Sequence, residues 1–142
     1  METVTLSNRQ VVERFFDDVL GQGRMEVFED LVAQDYVFQA SHIPVRMDRD
    51  GHRAFIQQLR TAFPDLTETV TGMIVEGDQV VTRLVTTGTH RAEFSGVPAT
   101  GRSIRIESVN IDRVEDGLIR ERWLIADGLT LLQQIGAIPA MG

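Results

Sequence analysis

The order of the periodic patterns along the chain constrains its fold more than any other feature. Up to Pro64, apart from a short strand pattern at residues 36–40, apolar residues recur every three or four positions, which is the spacing of amphipathic helices. From Thr67 onward they alternate with polar residues, which is the spacing of strands. A last helical pattern covers Gly128 to Ile135. Helices followed by strands and one closing helix predict an α+β domain with helices on one side of an antiparallel sheet.

Three helices are predicted before Pro64. The first begins at the capping-box sequence of residues 7–10 and ends at Gly21. The second is short and presents Met25 and Phe28 on one side. The third takes Asp50 as its N-cap and stops before Pro64.

The strands are predicted from alternation and from turn residues. Tyr36 to Ala40 is a short strand, and Ser41 to Arg49 is expected to be a loop. Residues 67–75 and 80–94 form a hairpin, and a loop follows at 95–101. The Asp116-Gly117 pair predicts a second hairpin, of residues 104–114 with 118–126. No linker or repeat divides the chain, so one domain over residues 1–142 is expected.

Composition excludes several classes of function. The chain has no cysteine and no lysine, which excludes disulfides, thiolate metal sites and Schiff-base chemistry. Its net charge of −7 is spread along the sequence and argues against nucleic acid as a partner. No apolar run is long enough for a membrane span, and the N-terminus lacks the pattern of a signal peptide. A cytoplasmic protein without membrane contact is therefore expected.

Known cofactor and metal motifs are missing from the sequence. Neither a dinucleotide fingerprint, a Walker loop nor a nucleophile elbow occurs. The three histidines, His42, His52 and His90, stand far apart and do not form a metal-ligand spacing. We expect no cofactor and no metal.

Ordered motifs from residue 62 onward resemble those of the SnoaL-like polyketide cyclases, in the NTF2-like superfamily. The motifs are Ala62-Phe63-Pro64-Asp65-Leu66, Gly88-Thr89-His90, Glu93 to Arg102, Arg113 to Ile119, Glu121-Arg122-Trp123, Asp127 and Leu131 to Gly136. The resemblance implies a cone-shaped, strongly curved antiparallel sheet whose pocket is closed by the N-terminal helices. It also implies a homodimer, and an aspartate that acts as general acid/base in the cyclisation of a polyketide.

Three positions depart from the family pattern. Leu124 stands where anthracycline-type cyclases carry the catalytic aspartate, Asn110 where they have a histidine, and Gln39 where histidine is frequent. What remains is Asp127, three residues beyond Leu124, in the Trp-x-x-x-Asp pattern of the wider family. These departures put an anthracycline-type aldol reaction in question and leave other pocket chemistry open.

Asp127 is the first candidate for catalysis. In an enclosed apolar site beside Trp123 its pKa would be raised, which suits proton transfer near neutral pH. Its position before the last helix equally allows a role as an N-cap. Trp123 is predicted either as a stacking wall for a flat substrate or as a core residue.

Two other polar residues are candidates for polarising a substrate oxygen. Asn110 could hold a carbonyl or enolate oxygen, or it could lie on the surface of an alternating strand. His90 could act as a second acid/base group, or it could close the loop that follows it.

The remaining candidates are expected to shape the pocket. Tyr36 and Gln39 belong to the strand that should line the mouth of the cone, and Leu124 would lie at the family's catalytic position. Phe15 and Phe63 are predicted as core or pocket wall. The strand carboxylates, Asp112 among them, are predicted to form a solvated ladder with arginines.

The sequence therefore predicts a cofactor-independent cyclase or isomerase in bacterial secondary metabolism. Its substrate would be a small, apolar, polyketide-like intermediate folded in the pocket. Two alternatives stay open: a hydroxylase or epoxide-opening enzyme on the same fold, which would want two pocket carboxylates, and a non-catalytic dimeric binding module with a shallow cone.

Overall fold

The computed structural model describes residues 6–139, which fold into four α-helices and six strands. The helices are α1 (Asn8–Arg14), which continues into a π-helical segment (Phe15–Leu20), α2 (Met25–Leu31), α3 (Arg49–Ala62) and α4 (Gly128–Gln134). The strands are β1 (Val32–Ala40), β2 (Ile43–Met47), β3 (Thr67–Glu76), β4 (Gln79–Thr89), β5 (Ser103–Glu115) and β6 (Leu118–Ala126). The predicted α+β class is confirmed.

The helix starts follow local side-chain chemistry. In the predicted capping box, the Gln10 amide donates to Ser7 Oγ at 3.2 Å, and the Ser7 amide donates to Gln10 Oε1 at 2.9 Å. Helix α3 begins earlier than predicted, because Asp48 and not Asp50 is its N-cap. The Asp48 carboxylate accepts a hydrogen bond from the Gly51 amide at 2.8 Å.

The strands form one sheet in the order β2-β1-β6-β5-β4-β3, which is curled but not closed. The prediction of a loop at residues 41–49 is wrong for its middle part, where β2 pairs antiparallel with β1. Strand β4 ends at Thr89 rather than at Phe94. Strand β1 runs parallel to β6, so the sheet is mixed and not antiparallel throughout. This parallel pair is possible because the long stretch from β2 to β5 separates the two strands in sequence.

Helices α1, α2 and α3 cover the inner, concave face of the sheet and bury the larger apolar core there. A second, smaller core lies under α4 and the loop that follows β4, around Phe63, Phe94 and Ile135. No helix among residues 6–139 has the length and apolar character needed to cross a bilayer. The single domain over residues 1–142 stays a prediction, and its first five and last three residues lie outside the described part.

Candidate active site

A cavity of about 120 Å³ opens between α3, α4 and the inner face of the sheet. Its walls are mainly apolar: Phe16, Leu20, Phe38, Phe55, Ile56, Leu59, Leu84, Phe94, Ile104, Ile106, Leu124, Ala126 and Leu131. Seven polar residues also line it: His42, His52, Glu68, Thr86, Ser108, Asn110 and Arg122. Cavities of about this size accept a single benzene ring, so a larger substrate would extend through the mouth. An apolar cavity with a few polar groups is the usual form of a small-molecule site.

Two β-bulges decide which side chains face this cavity. In β6 the pairing with β5 shifts between Val114, which lies opposite Ile119, and Arg113, which lies opposite Glu121. Arg120 is therefore the extra residue, and beyond it Asn110 lies opposite Leu124. In β3 a similar shift at residue 71 places Glu68 opposite Thr86. Each extra residue reverses which side chains of its strand point inward from that position on.

Glu68 is the one carboxylate that lines the cavity within the described part of the chain. Thr86 Oγ1 donates a hydrogen bond to Glu68 Oε2 at 2.7 Å. Removal from water raises the pKa of Glu68 from its ordinary value of 4.5 to about 7, although the hydrogen bond and the charge of Arg122 act in the opposite direction. At neutral pH this carboxyl group is present in both protonation states and can take up or give back a proton.

The floor of the cavity holds a buried ion pair. Arg122 Nε donates to Asp112 Oδ1 at 2.5 Å, and Arg122 Nη2 donates to Asp112 Oδ2 at 3.0 Å. The guanidinium group also lies over the Phe15 ring, 4.0 Å from its centroid. The predicted solvated ladder is thus wrong for Asp112, which is fully buried and paired inside the cone.

Next to this pair, Tyr36 and His52 form a second buried polar contact. The Tyr36 hydroxyl lies 2.8 Å from His52 Nδ1. The His52 ring stacks on Phe38, with 3.8 Å between ring centroids. Burial, and then the positive charge of Arg122, hold the pKa of His52 well below its usual range, so the ring is neutral.

Two of the predicted site residues line the cavity. Asn110 is buried on β5, and Leu124 faces it from β6. The structure thus brings together two of the three positions at which the chain departs from the family pattern. Their roles toward a substrate stay predictions.

Asp127 does not lie in the cavity. Its carboxylate is exposed, accepts a hydrogen bond from the Thr130 amide at 2.9 Å and another from the Thr130 hydroxyl at 2.5 Å, and caps α4. These hydrogen bonds lower the pKa of Asp127, whereas an enclosed acid/base group would have it raised. The expected enclosed site for Asp127 is wrong, and the N-cap alternative agrees with the structure.

Trp123 and Gln39 also point away from the cavity. They are opposite each other in the β1–β6 pairing, and the Trp123 side chain is 44% exposed on the outer face of the sheet. Without the extra residue Arg120, Trp123 would lie opposite Asn110 and share its face. The expectation that Trp123 and Gln39 line the pocket is wrong for this reason.

The other predicted residues are buried beside the cavity without lining it. His90 stacks on Phe63 with 5.5 Å between ring centroids, and its Nδ1 lies 2.9 Å from Thr100 Oγ1. It closes the loop after β4, where its amide donates to the Arg102 carbonyl at 2.9 Å. Phe15 packs under Arg122, and Tyr36 contacts His52. His90 therefore holds the loop after β4, as the structural alternative predicted, and it lies outside the candidate site.

Sequence reasoning missed Glu68, His52 and Arg122. Glu68 carries no distinctive local pattern, and Arg122 stood out only as part of the family motif Glu121-Arg122-Trp123, because carboxylates and arginines on strands are usually solvated. His52 offered a weak signal, since it is in phase with the apolar residues Ile56 and Leu59 of the predicted third helix. Among residues 6–139 there is no group of three histidine or carboxylate side chains that could hold a metal ion.

The cap assignment of Asp127 predicts a matched pair of variants. Asp127→Ala should lower the free energy of unfolding by about 1 kcal/mol, because the first turn of α4 loses its side-chain acceptor. Asp127→Asn should change it little, since asparagine caps as well as aspartate. Urea unfolding followed by circular dichroism measures both. Equal stability of the two variants would contradict the cap.

Comparison with known proteins places this geometry in a family. The sequence model of the SnoaL-like polyketide cyclases matches residues 10–135. No curated protein sequence matches the chain. The structure of IdmH from Streptomyces antibioticus, described as "a putative polyketide cyclase", is 34% identical over 92% of this chain and 99% of that chain, with a TM-score of 0.80.

Two further solved structures show the same fold. A "Putative SnoaL-like polyketide cyclase" from Jannaschia sp. CCS1 is 27% identical, covers 98% of both chains and has a TM-score of 0.86. AclR from Streptomyces galilaeus, described as "a putative hydroxylase", is 23% identical over 93% of this chain and 97% of that chain, with a TM-score of 0.83. At 23% identity, the similarity to AclR concerns the fold alone.

Proposed function

This chain belongs to the SnoaL-like polyketide cyclase family, and we propose that it is a cofactor-independent cyclase or isomerase of bacterial secondary metabolism. Its substrate is a small, mainly apolar, polyketide-like ketone. The observation that carries this proposal is Glu68, a carboxyl group with a pKa near 7 inside an apolar cavity. Such a group is suited to moving a proton to and from carbon next to a carbonyl group.

The proposed reaction is an intramolecular aldol closure. Glu68 as carboxylate removes a proton from the carbon beside a ketone, and the electrons of the broken C–H bond form an enolate. The enolate carbon attacks a second carbonyl carbon of the same chain and forms the ring C–C bond. The oxygen of that second carbonyl takes the proton back from Glu68. No atom is gained or lost, so the product is an isomer of the substrate.

The remaining cavity residues hold the substrate in a reactive shape. Asn110 presents a carboxamide that can bind a substrate oxygen, while Leu124 and Phe16 form apolar walls. Bringing the two reacting carbons of a flexible chain together can account for several kcal/mol of the barrier.

The alternatives are less well supported. Epoxide opening would call for two pocket carboxylates, and within the described chain only Glu68 lines the cavity, while Asp112 is held by Arg122. A binding module without chemistry would show no ionisable group in its pocket, and here Glu68, His52 and Arg122 all line it.

Filling the cavity tests the proposal directly. Ser108→Trp would place an indole in the cavity and should abolish ring closure of a linear triketo ester, followed by chromatography and mass spectrometry. Glu107→Trp is the matched control, because the neighbouring side chain points to the outer face and is exposed. It should retain wild-type turnover. Equal turnover of the two variants, or no closure by the wild type, would overturn the proposed function.

The homodimer implied by the family belongs to the same proposal. Ile74, Val81, Ile111 and Trp123 form one apolar row across four strands on the outer face of the sheet. Of these, Ile74 is 69% exposed in the single chain. Exposed apolar rows of this kind are typically covered by a partner, and a second copy of the chain would bury both rows at once.

A single charge should separate the two copies. Trp123→Arg places a guanidinium group at the β6 end of this row and should convert a dimer to a monomer in sedimentation velocity. The control is Arg120→Met, a change on the same strand outside the row. A wild-type chain that sediments as a monomer would contradict the dimer and leave the cavity chemistry untouched.

A further inference from the structure

His52 is a buried ionisable residue that the proposed reaction has not yet used. It lies on α3, is 4% exposed and lines the cavity. Its ring is fixed by stacking on Phe38 and by the contact between Nδ1 and the Tyr36 hydroxyl at 2.8 Å. Among residues 6–139, the His52 ring makes no hydrogen bond other than this contact with Tyr36. The second ring nitrogen, Nε2, is left for a ligand.

The proton on this ring can be placed by elimination. Burial raises the pKa of Tyr36 far above its ordinary value, so the phenol keeps its proton. Among residues 6–139, Nδ1 of His52 is the one hydrogen-bond partner of that hydroxyl, so the buried phenol proton is paired only if the O–H group donates and Nδ1 accepts. His52 is neutral, because burial and Arg122 lower its pKa. A neutral imidazole that accepts at Nδ1 carries its single proton on Nε2.

From this arrangement we infer that His52 is a further catalytic residue, which donates an Nε2–H hydrogen bond to the carbonyl oxygen of the substrate ketone. This oxygen belongs to the carbonyl next to the carbon that Glu68 deprotonates, so the inference rests on the proposed function. The inferred hydrogen bond specifies a ketone substrate that binds with its carbonyl oxygen deepest in the cavity. Tyr36 is a positioning residue, because it acts only through the tautomer and the orientation of His52.

The physical reason is the charge that develops on the oxygen. As the α-proton leaves, negative charge moves to the carbonyl oxygen, and a donor already in place stabilises the enolate more than the ketone. The positive charge of Arg122 is already balanced by Asp112 through two hydrogen bonds. His52 therefore supplies a neutral donor in a cavity that favours a neutral ketone over an anionic ligand.

The tautomer can be measured on the wild-type protein without any ligand. Nitrogen-15 NMR of histidine should show His52 with its proton on Nε2 and without an imidazolium form at neutral pH. Tyr36→Phe should mix the two tautomers, because nothing then favours a lone pair at Nδ1. A proton on Nδ1 in the wild type, or an imidazolium near pH 6, would overturn the inference.

The contact itself is tested with β-tetralone, a bicyclic ketone with acidic α-protons, bound to Glu68→Gln protein so that no reaction occurs. The infrared carbonyl stretch should move to lower frequency when the ketone binds to the Glu68→Gln protein. It should return to the frequency of a carbonyl without a hydrogen bond when His52→Phe and Tyr36→Phe are added to that protein. This pair of changes removes both hydrogen-bonding groups together and leaves neither unpaired. An unshifted stretch in bound ketone would contradict the inference.

Exchange of α-protons in deuterium oxide separates this inference from the proposed function. With Glu68 intact, His52→Phe with Tyr36→Phe should slow the exchange of β-tetralone by about 10²–10³-fold, the usual effect of removing one such donor. If exchange depends on Glu68 but is unaffected by the substitutions His52→Phe and Tyr36→Phe, the role of His52 is overturned and the proposed function still stands. A wild-type protein that neither binds nor exchanges the ketone would overturn the proposed function, and the inference with it.

Discussion

Arg122→Met should lower the free energy of unfolding by about 3–5 kcal/mol, which is the largest stability effect we expect from any single substitution in this chain. Arg122 and Asp112 are 1% and 0% exposed, and they share two hydrogen bonds. Without the guanidinium group, the Asp112 carboxylate is left among the apolar side chains of the inner face. Desolvation already raises the pKa of Asp112, and Arg122 is the group that opposes this rise.

Two controls isolate the buried pair. Asp112→Leu with Arg122→Met removes both charges and should recover much of the loss, because no unpaired charge remains. Arg105→Met removes a partner of the exposed pair with Glu107, whose nitrogen and oxygen are 3.5 Å apart, and should cost less than about 1 kcal/mol. All four proteins should be unfolded in urea at one protein concentration, since dimerisation would add a concentration-dependent term. If Arg122→Met were as stable as Arg105→Met, the result would contradict the burial of the Arg122–Asp112 pair.

Glu68→Gln should lower the rate of ring closure, and of α-proton exchange in β-tetralone, by about 10²–10⁴-fold. Glutamine keeps an oxygen that can accept the Thr86 hydrogen bond, so the geometry of the wall is preserved. It cannot take up a proton. The matched control is Glu76→Gln, an exposed change at the other end of the same strand, which should leave both rates unchanged.

The same substitution should stabilise the protein at alkaline pH. The folded-state pKa of Glu68 lies above its unfolded value, so folded wild-type protein binds more protons than unfolded protein between about pH 4.5 and 7. Wild-type stability therefore falls as the pH rises through this window. Near pH 8, Glu68→Gln should be more stable than wild type by up to about 3 kcal/mol. Loss of activity with a gain in stability distinguishes a catalytic carboxyl group from a structural one.

The extent of sequence prediction differs between the fold and the site. The α+β class, the capping box at Ser7 and the Asp116-Gly117 hairpin were all predictable, because each depends on residues close together in sequence. The parallel pairing of β1 with β6 was not, since it joins segments separated by most of the chain. The family resemblance supplied the cone and its pocket, which local patterns alone do not determine.

The site depended on two single-residue bulges. Counting back from the Asp116-Gly117 turn without a bulge places Trp123 opposite Asn110, and the extra residue Arg120 changes that partner to Leu124. The bulge at residue 71 does the same for Glu68, which would otherwise lie opposite Thr87. Gly72, beside the bulge at residue 71, is a weak signal, because a glycine inside a strand often accompanies a bulge but does not fix the register, and Arg120 has no such neighbour. The outward position of Trp123 and the inward position of Glu68 could therefore be read only from the structure.

A role of Glu68 as an acid/base group requires a pKa near neutrality. The most direct measurement is a carbon-13 NMR titration of the glutamate side-chain carboxyl groups, with Glu68→Gln used to assign the resonance. We expect one carboxyl resonance that titrates with a pKa of about 7 and disappears in the variant. A Glu68 resonance that titrates near the ordinary value of 4.5 would contradict the acid/base role of Glu68, because the group would then be a carboxylate at neutral pH without a proton to return.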